Sequence, residues 1–245
     1  KTVISQKEVL QIIILKTLEN APTHAAQLYR HILNMTEDYE IIPNRSRTYV
    51  YKTIDELCEQ EFITFEKSGR KKIYHLNEKG KKYLHAYEDN FFNTIQKLVI
   101  IIEQMKETIA GKHPTYYKVE ITDAEKNYIS KIINVKLFIQ WYVLHRLIYE
   151  GPFYGGILYR ELETWFGWLI NHSYFYKVLR EMDNDGLIRG YWMDDETRSK
   201  REYQATDAGK NEYEFIQCQL ETYLSNVKQF LRSIIYLIHP IHKKS

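Results

Sequence analysis

The chain lacks most of the features that announce a function. Cysteine occurs only twice in 245 residues, at Cys58 and Cys218, far apart and in no metal-ligand spacing. Free thiols in a reducing, cytoplasmic setting are the expectation. No Gly-rich phosphate loop, HExxH, GxSxG or Cys/His cluster is present, and the nine histidines are scattered. Those absences argue against an enzyme, and no cofactor or metal is expected. The longest apolar runs, Leu98 to Ile102 and Ile234 to Ile238, are far too short to span a bilayer, and no signal-peptide pattern appears. A large charge excess is also missing. Net charge is +2, which excludes a uniformly basic coat and leaves local basic patches as the only route to a polyanion.

What is present is an ordinary globular composition, 44% hydrophobic and 27% charged, long enough for two modest domains. Tyrosine is abundant, at 21 residues, beside much Ile, Lys and Asn, as in proteins of AT-rich genomes. The chain also repeats itself. Pro22 to Arg30 (PTHAAQLYR) lies over Pro152 to Arg160 (PFYGGILYR), and Thr48 to Lys52 over Ser173 to Lys177. Glu56-Leu57 then lies over Glu181-Met182, Phe62-Ile63 over Leu187-Ile188, and Tyr74 to Lys81 (YHLNEKGK) over Tyr203 to Lys210 (YQATDAGK). The matches keep their order, and an internal duplication is the expected cause.

Each copy reads helix, helix, helix, hairpin, long helix. In the first, the Ser5–Glu8 capping box opens a helix to about Glu19; others run from about Thr23 to Leu33 and Ser46 to Gln60. Strands near 62–67 and 71–76 flank Ser68-Gly69, and Asn77 caps a helix to about Ala110. In the second, the Thr122–Glu125 capping box opens a helix to Glu150, followed by a helix from about Tyr154 to Phe166. Asn171 caps a third helix that stops at Gly186. Strands near 187–194 and 200–205 and a helix from Asp207 to Ile238 complete it. The expected fold is mainly α with small β-hairpins (α+β): two tandem winged helix-turn-helix domains, each followed by a long C-terminal helix. Residues 1–110 form the first domain, 111–121 a linker and 122–245 the second.

The recognition helix of such a domain enters the major groove by its N-terminal part, and the wing reaches phosphate or a minor groove. The candidate DNA contacts are Arg45, Ser46, Arg47, Thr48, Tyr49 and Lys52 in the first copy, with His172, Ser173, Tyr174 and Lys177 in the second. Acids come only later in each helix. Lys67, Arg70, Lys71 and Lys72 decorate the first wing, and Arg198, Lys200 and Arg201 the second. Asp194, Asp195 and Glu196 oppose phosphate there, so one copy is the weaker reader. The long helices carry apolar stripes, Tyr83 to Met105 and Tyr213 to Leu237, at the three-and-four spacing of helix pairing. Trp141, Trp165, Trp168 and Trp192 are either core residues or the lining of an aromatic effector pocket.

Tyr174 to Met182 (YFYKVLREM), Asp185 to Ile188 (DGLI) and Arg201 to Lys210 (REYQATDAGK) resemble the PadR family of bacterial transcriptional regulators. The first copy keeps a weaker version, with Glu61 in place of Gly186 and Asn77 in place of Thr206. Lys52 and Lys177 stand where the family often has proline, and a tandem chain departs from its usual single domain. The resemblance implies a sequence-specific regulator of double-stranded DNA, acting as a repressor. It also implies pairing of the long helices, as a homodimer or an internal pseudo-dimer, and a small hydrophobic effector. Two other readings stay open: a plasmid replication initiator with tandem winged helices, and a winged-helix protein-interaction module.

Overall fold

The structure is a computed structural model that describes residues 6–36, 46–111, 119–166, 169–193 and 200–238. It is mainly helical, with two small antiparallel sheets. Two compact units divide the chain: Lys1–Thr108 with Lys112–Tyr128 and Asn226–Ser245, and Ile109–Gly111 with Ile129–Ser225.

In the first unit, α1 (Gln6–Asn20) buries Val9, Leu10, Ile12, Ile13, Ile14, Leu15 and Leu18. Apolar residues on so many sides suit a central helix. β1 (Thr23–His24), α2 (Ala25–Thr36), α3 (Arg47–Glu59), β2 (Ile63–Ser68), β3 (Lys71–Leu76) and α4 (Glu78–Ile109) follow. Thr23 and His24 do not open the second helix as expected. They pair with Tyr74 and Ile73, giving the sheet order β1-β3-β2, and His24 Nδ1 accepts the Gln27 N–H at 3.1 Å.

The stretch after α4 departs from expectation. The single helix expected from Thr122 to Glu150 is two: α5 (Asp123–Ile132) and α6 (Val135–Tyr149). The Asn134 side chain accepts the Leu137 N–H at 3.0 Å and starts α6 afresh, so the break is a capping event. α6 buries Phe138, Ile139, Trp141, Val143 and Leu144. β4 (Phe153–Tyr154), α7 (Gly155–Phe166), α8 (His172–Asn184), β5 (Ile188–Trp192), β6 (Arg201–Ala205) and α9 (Asp207–Ile238) follow, with sheet order β4-β6-β5.

Two local geometries recur in both units. α3 and α8 end alike: Phe62 N–H reaches Leu57 O at 3.0 Å, and Leu187 N–H reaches Met182 O at 2.9 Å. The residue at the bend has positive φ in each, Glu61 at 58° and Gly186 at 75°. At the start of each long helix, a Cβ on Gly80 would lie 2.1 Å from Phe62 O, and one on Gly209 2.0 Å from Leu187 O. Only glycine permits that approach.

The long helices bury their stripes within the chain. Phe91, Ile95, Leu98, Ile102 and Met105 of α4 are buried, as are Leu220, Val227, Phe230 and Ile234 of α9. Tyr83, Tyr87, Tyr223 and Leu237 are half-buried. Inside the first unit, Lys228 and Arg232 of α9 both face Glu103 of α4. No described helix is long and apolar enough to cross a membrane.

Candidate nucleic-acid interface

α3 is held by one face and presents the other. Val50, Thr53, Ile54 and Leu57 are buried at helical spacing. Ser46 is its N-cap, with Oγ accepting the Tyr49 N–H at 3.2 Å, so this hydroxyl is committed to starting the helix. Arg47, Thr48 and Lys52 are exposed on the first turns and Tyr49 is half-buried. Arg47 is oriented by its own helix: its guanidinium donates to Tyr51 Oη at 3.2 Å and lies 5.2 Å from that ring's centroid. Arg45 and the Ser5 capping box lie outside the described residues, as do Arg198, Trp168 and the three acids of the second wing.

The hairpin β2–β3 is exposed from Thr64 to Lys72, and Gly69 turns it with φ 61°. Its register sets Lys67 directly against Lys72 and Ser68 against Lys71, with Arg70 in the turn. Like charges directly opposite destabilise a hairpin. Lys72 finds partial relief over the Phe65 ring at 4.2 Å, a cation–π contact. Glu66, the acid on this wing, is engaged with His75 at 3.1 Å.

α8 repeats the arrangement. Asn171 Oδ1 accepts the Tyr174 N–H at 2.8 Å, while Phe175, Val178, Leu179 and Met182 are buried. His172, Ser173, Lys177 and Arg180 are exposed and Tyr174 is half-buried. The His172 ring packs edge-on to Tyr159 and tilted against Tyr176. Lys177 lies 3.9 Å from Glu181, whose other oxygen takes Lys136 at 2.8 Å.

The second wing is built differently. Arg201 turns inward: Nη2 meets Asp183 Oδ2 at 2.5 Å, and the guanidinium lies 5.5 Å from both the Trp192 and Tyr203 ring centroids. Asp183 also accepts the Gly190 N–H at 3.2 Å. Arg201 therefore fastens the wing to α8, whereas Lys200 is exposed. Between α7, α8 and this sheet opens a cleft of about 690 Å³, lined by residues that include Arg160, Arg180, Trp192 and Lys200. Arg160 and the cleft itself gave no signal in sequence, because residues from five elements meet there.

The remaining described tryptophans have other surroundings. Trp141 is buried, stacks on His145 and donates to Gln217 at 3.4 Å, and Trp165 is half-buried. Cys58 and Cys218 are both free. Among the described residues, no three of His, Cys, Asp and Glu gather as a metal site requires.

Residues 143–215, which hold the C-terminal part of α6, the whole of α7 and α8, the second hairpin and the start of α9, match the transcriptional regulator PadR-like family. The chain has no match among the curated proteins.

Proposed function

We propose that this protein is a sequence-specific, double-stranded DNA-binding transcriptional regulator, a repressor, built from two tandem winged-helix domains in 1–110 and 122–245. α3 and α8 are its recognition helices, and the β2–β3 and β5–β6 hairpins its wings. One observation carries the reading. A side-chain-capped helix with exposed polar and basic residues in its first turns, followed by a hairpin, occurs twice, and the second instance lies in the PadR-like match. The shared helix ends and the paired Gly80 and Gly209 approaches support a common origin for the two modules. DNA reading by Arg47, Thr48, Lys52, Ser173 and Lys177, and backbone contact by Lys67, Arg70, Lys71, Lys72 and Lys200, needs no catalytic group or cofactor.

The test is selection of genomic fragments by the full chain, followed by binding measured across salt. The expected outcome is one preferred sequence, bound at least about 10³-fold more tightly than bulk DNA. Preferred fragments at promoters fit the repressor reading, and preferred origin repeats would instead indicate a replication initiator. Weak, sequence-indifferent binding with no salt dependence would overturn DNA reading and favour a protein-interaction module.

A further inference from the structure

We infer that the cleft between α7, α8 and the second sheet is a binding site for a free nucleotide, a planar base carrying a phosphate. Its walls supply both halves of that chemistry. Arg160, Arg180 and Lys200 are exposed cations in the lining, and no carboxylate is among the described lining residues. Neither Arg180 nor Lys200 forms an ion pair among the described residues. Arginine forks suit phosphate oxygens. Trp192 is 42% exposed at the rim, although an indole of that size is usually covered. Exposed indole faces are stacking platforms for bases. Burial pushes the Tyr176 and Tyr203 phenols above their ordinary range. A cleft of about 690 Å³ is the size of a small-ligand site. Gly155 in the lining lets the Tyr176 and Tyr203 rings pack closely against the backbone, since a Cβ there would stand 3.1 Å from both.

The source is a free mononucleotide, because a base within a duplex reaches such a cleft only after unstacking. Arg180 lies on the same exposed stripe of α8 as Ser173 and Lys177, spaced seven and three residues away. If α8 reads DNA as proposed, nucleotide and duplex exclude each other, and the occupant relieves repression. That consequence rests on the proposed function; the site does not.

The full chain is titrated with AMP, adenosine, inorganic phosphate and a single-stranded tetranucleotide, followed by tryptophan fluorescence and calorimetry. AMP is expected to bind saturably and quench fluorescence, with adenosine and phosphate each at least tenfold weaker. Trp192→Phe should abolish most of the quench, and Arg180→Ala should weaken AMP at least tenfold with an unchanged melting temperature. Three results overturn the site: AMP no tighter than phosphate, quenching retained in Trp192→Phe, or the tetranucleotide binding through Trp192 while AMP does not. Duplex affinity is then measured with saturating AMP. AMP bound through Trp192 with duplex affinity unchanged keeps the site and removes α8 from DNA reading. Duplex lost on Lys177→Ala with no AMP binding does the reverse.

Discussion

At the residue scale, side chains that look alike in sequence have opposite duties. Arg201 and Lys200 are neighbours in a basic run, yet Lys200 is exposed and Arg201 is held by Asp183. Because the Arg201 and Asp183 side chains are only 28% and 20% exposed, breaking the pair leaves a poorly solvated charge. Asp183→Ala should therefore lower unfolding free energy by about 2 kcal/mol, counting the lost Gly190 contact as well. Urea unfolding checks it, and a loss under about 0.5 kcal/mol would show that the wing is fastened elsewhere. Glu61 presents the reverse case. A left-handed conformation strains a residue with a Cβ by about 1–2 kcal/mol, and the second copy has Gly186 at that bend. The Glu61–Lys79 ion pair is exposed and offsets little. Glu61→Gly should raise stability by about 0.5–1 kcal/mol, net of the extra freedom glycine has when unfolded. A lower denaturation midpoint would refute stored strain at that bend.

At the element scale, legibility followed how local the cause is. Caps, turns and helical stripes act over three or four residues, so Ser46, Asn77 and Asn171 were readable as helix starts, and α9 runs from Asp207 to Ile238 as its pattern predicts. β1 and β4 carry no sequence signal of their own, because two-residue strands exist only through pairing with β3 and β6. The α5–α6 break is hidden in the sequence because the apolar pattern continues through it while Asn134 caps locally. The Thr122–Glu125 capping box forms, and it gains partners no spacing could reveal. Besides the Thr122 N–H at 2.8 Å, Glu125 accepts from Thr94 at 3.0 Å and Lys97 at 3.3 Å. Burial alone would push its carboxyl up, but these donors outweigh it and hold the pKa below the usual range. A depressed folded pKa contributes stability above the unfolded value, near 4.3, that is lost as pH falls through the folded one. Glu125→Gln should cost about 1–3 kcal/mol at pH 7. That difference should hold down to about pH 5 and shrink below about pH 4. A gap independent of pH would mean the charge is not what stabilises the box.

The first hairpin gives an element-scale test of purpose. Lys67 opposite Lys72 is a costly arrangement for a wing with nothing to bind, and a polyanion would relieve it. Lys67→Thr should leave stability at low salt unchanged or raise it by a few tenths of a kcal/mol. The same change should reduce the salt slope of DNA binding by about one unit, the signature of one lost phosphate contact. Loss of stability with an unaltered slope would return Lys67 to the hairpin's own upkeep.

For the whole molecule, the question is what the long helices leave for a partner chain. The periodic stripes could be read equally as seams between chains or within one, since spacing does not say who covers an apolar face. In this chain Phe91, Ile95, Leu98, Ile102 and Met105 are buried without any second copy, and so are Leu220, Val227, Phe230 and Ile234. Of α4 and α9, the large apolar residues left exposed are Ile100, Phe215 and Tyr236, spaced too widely to continue a seam. On the proposed tandem reading, a chain whose two long helices both bury their stripes leaves no long apolar seam for a second copy. The expected state is therefore one chain in solution and one chain per bound site, as an internal pseudo-dimer. Light scattering at micromolar concentration should give the mass of a single chain, with no rise on concentration. The two modules should then protect half-sites about one helical turn, 10 base pairs, apart on one duplex. A two-chain mass that survives Tyr236→Glu, with the footprint of four modules, would replace the pseudo-dimer with a homodimer built on other surfaces.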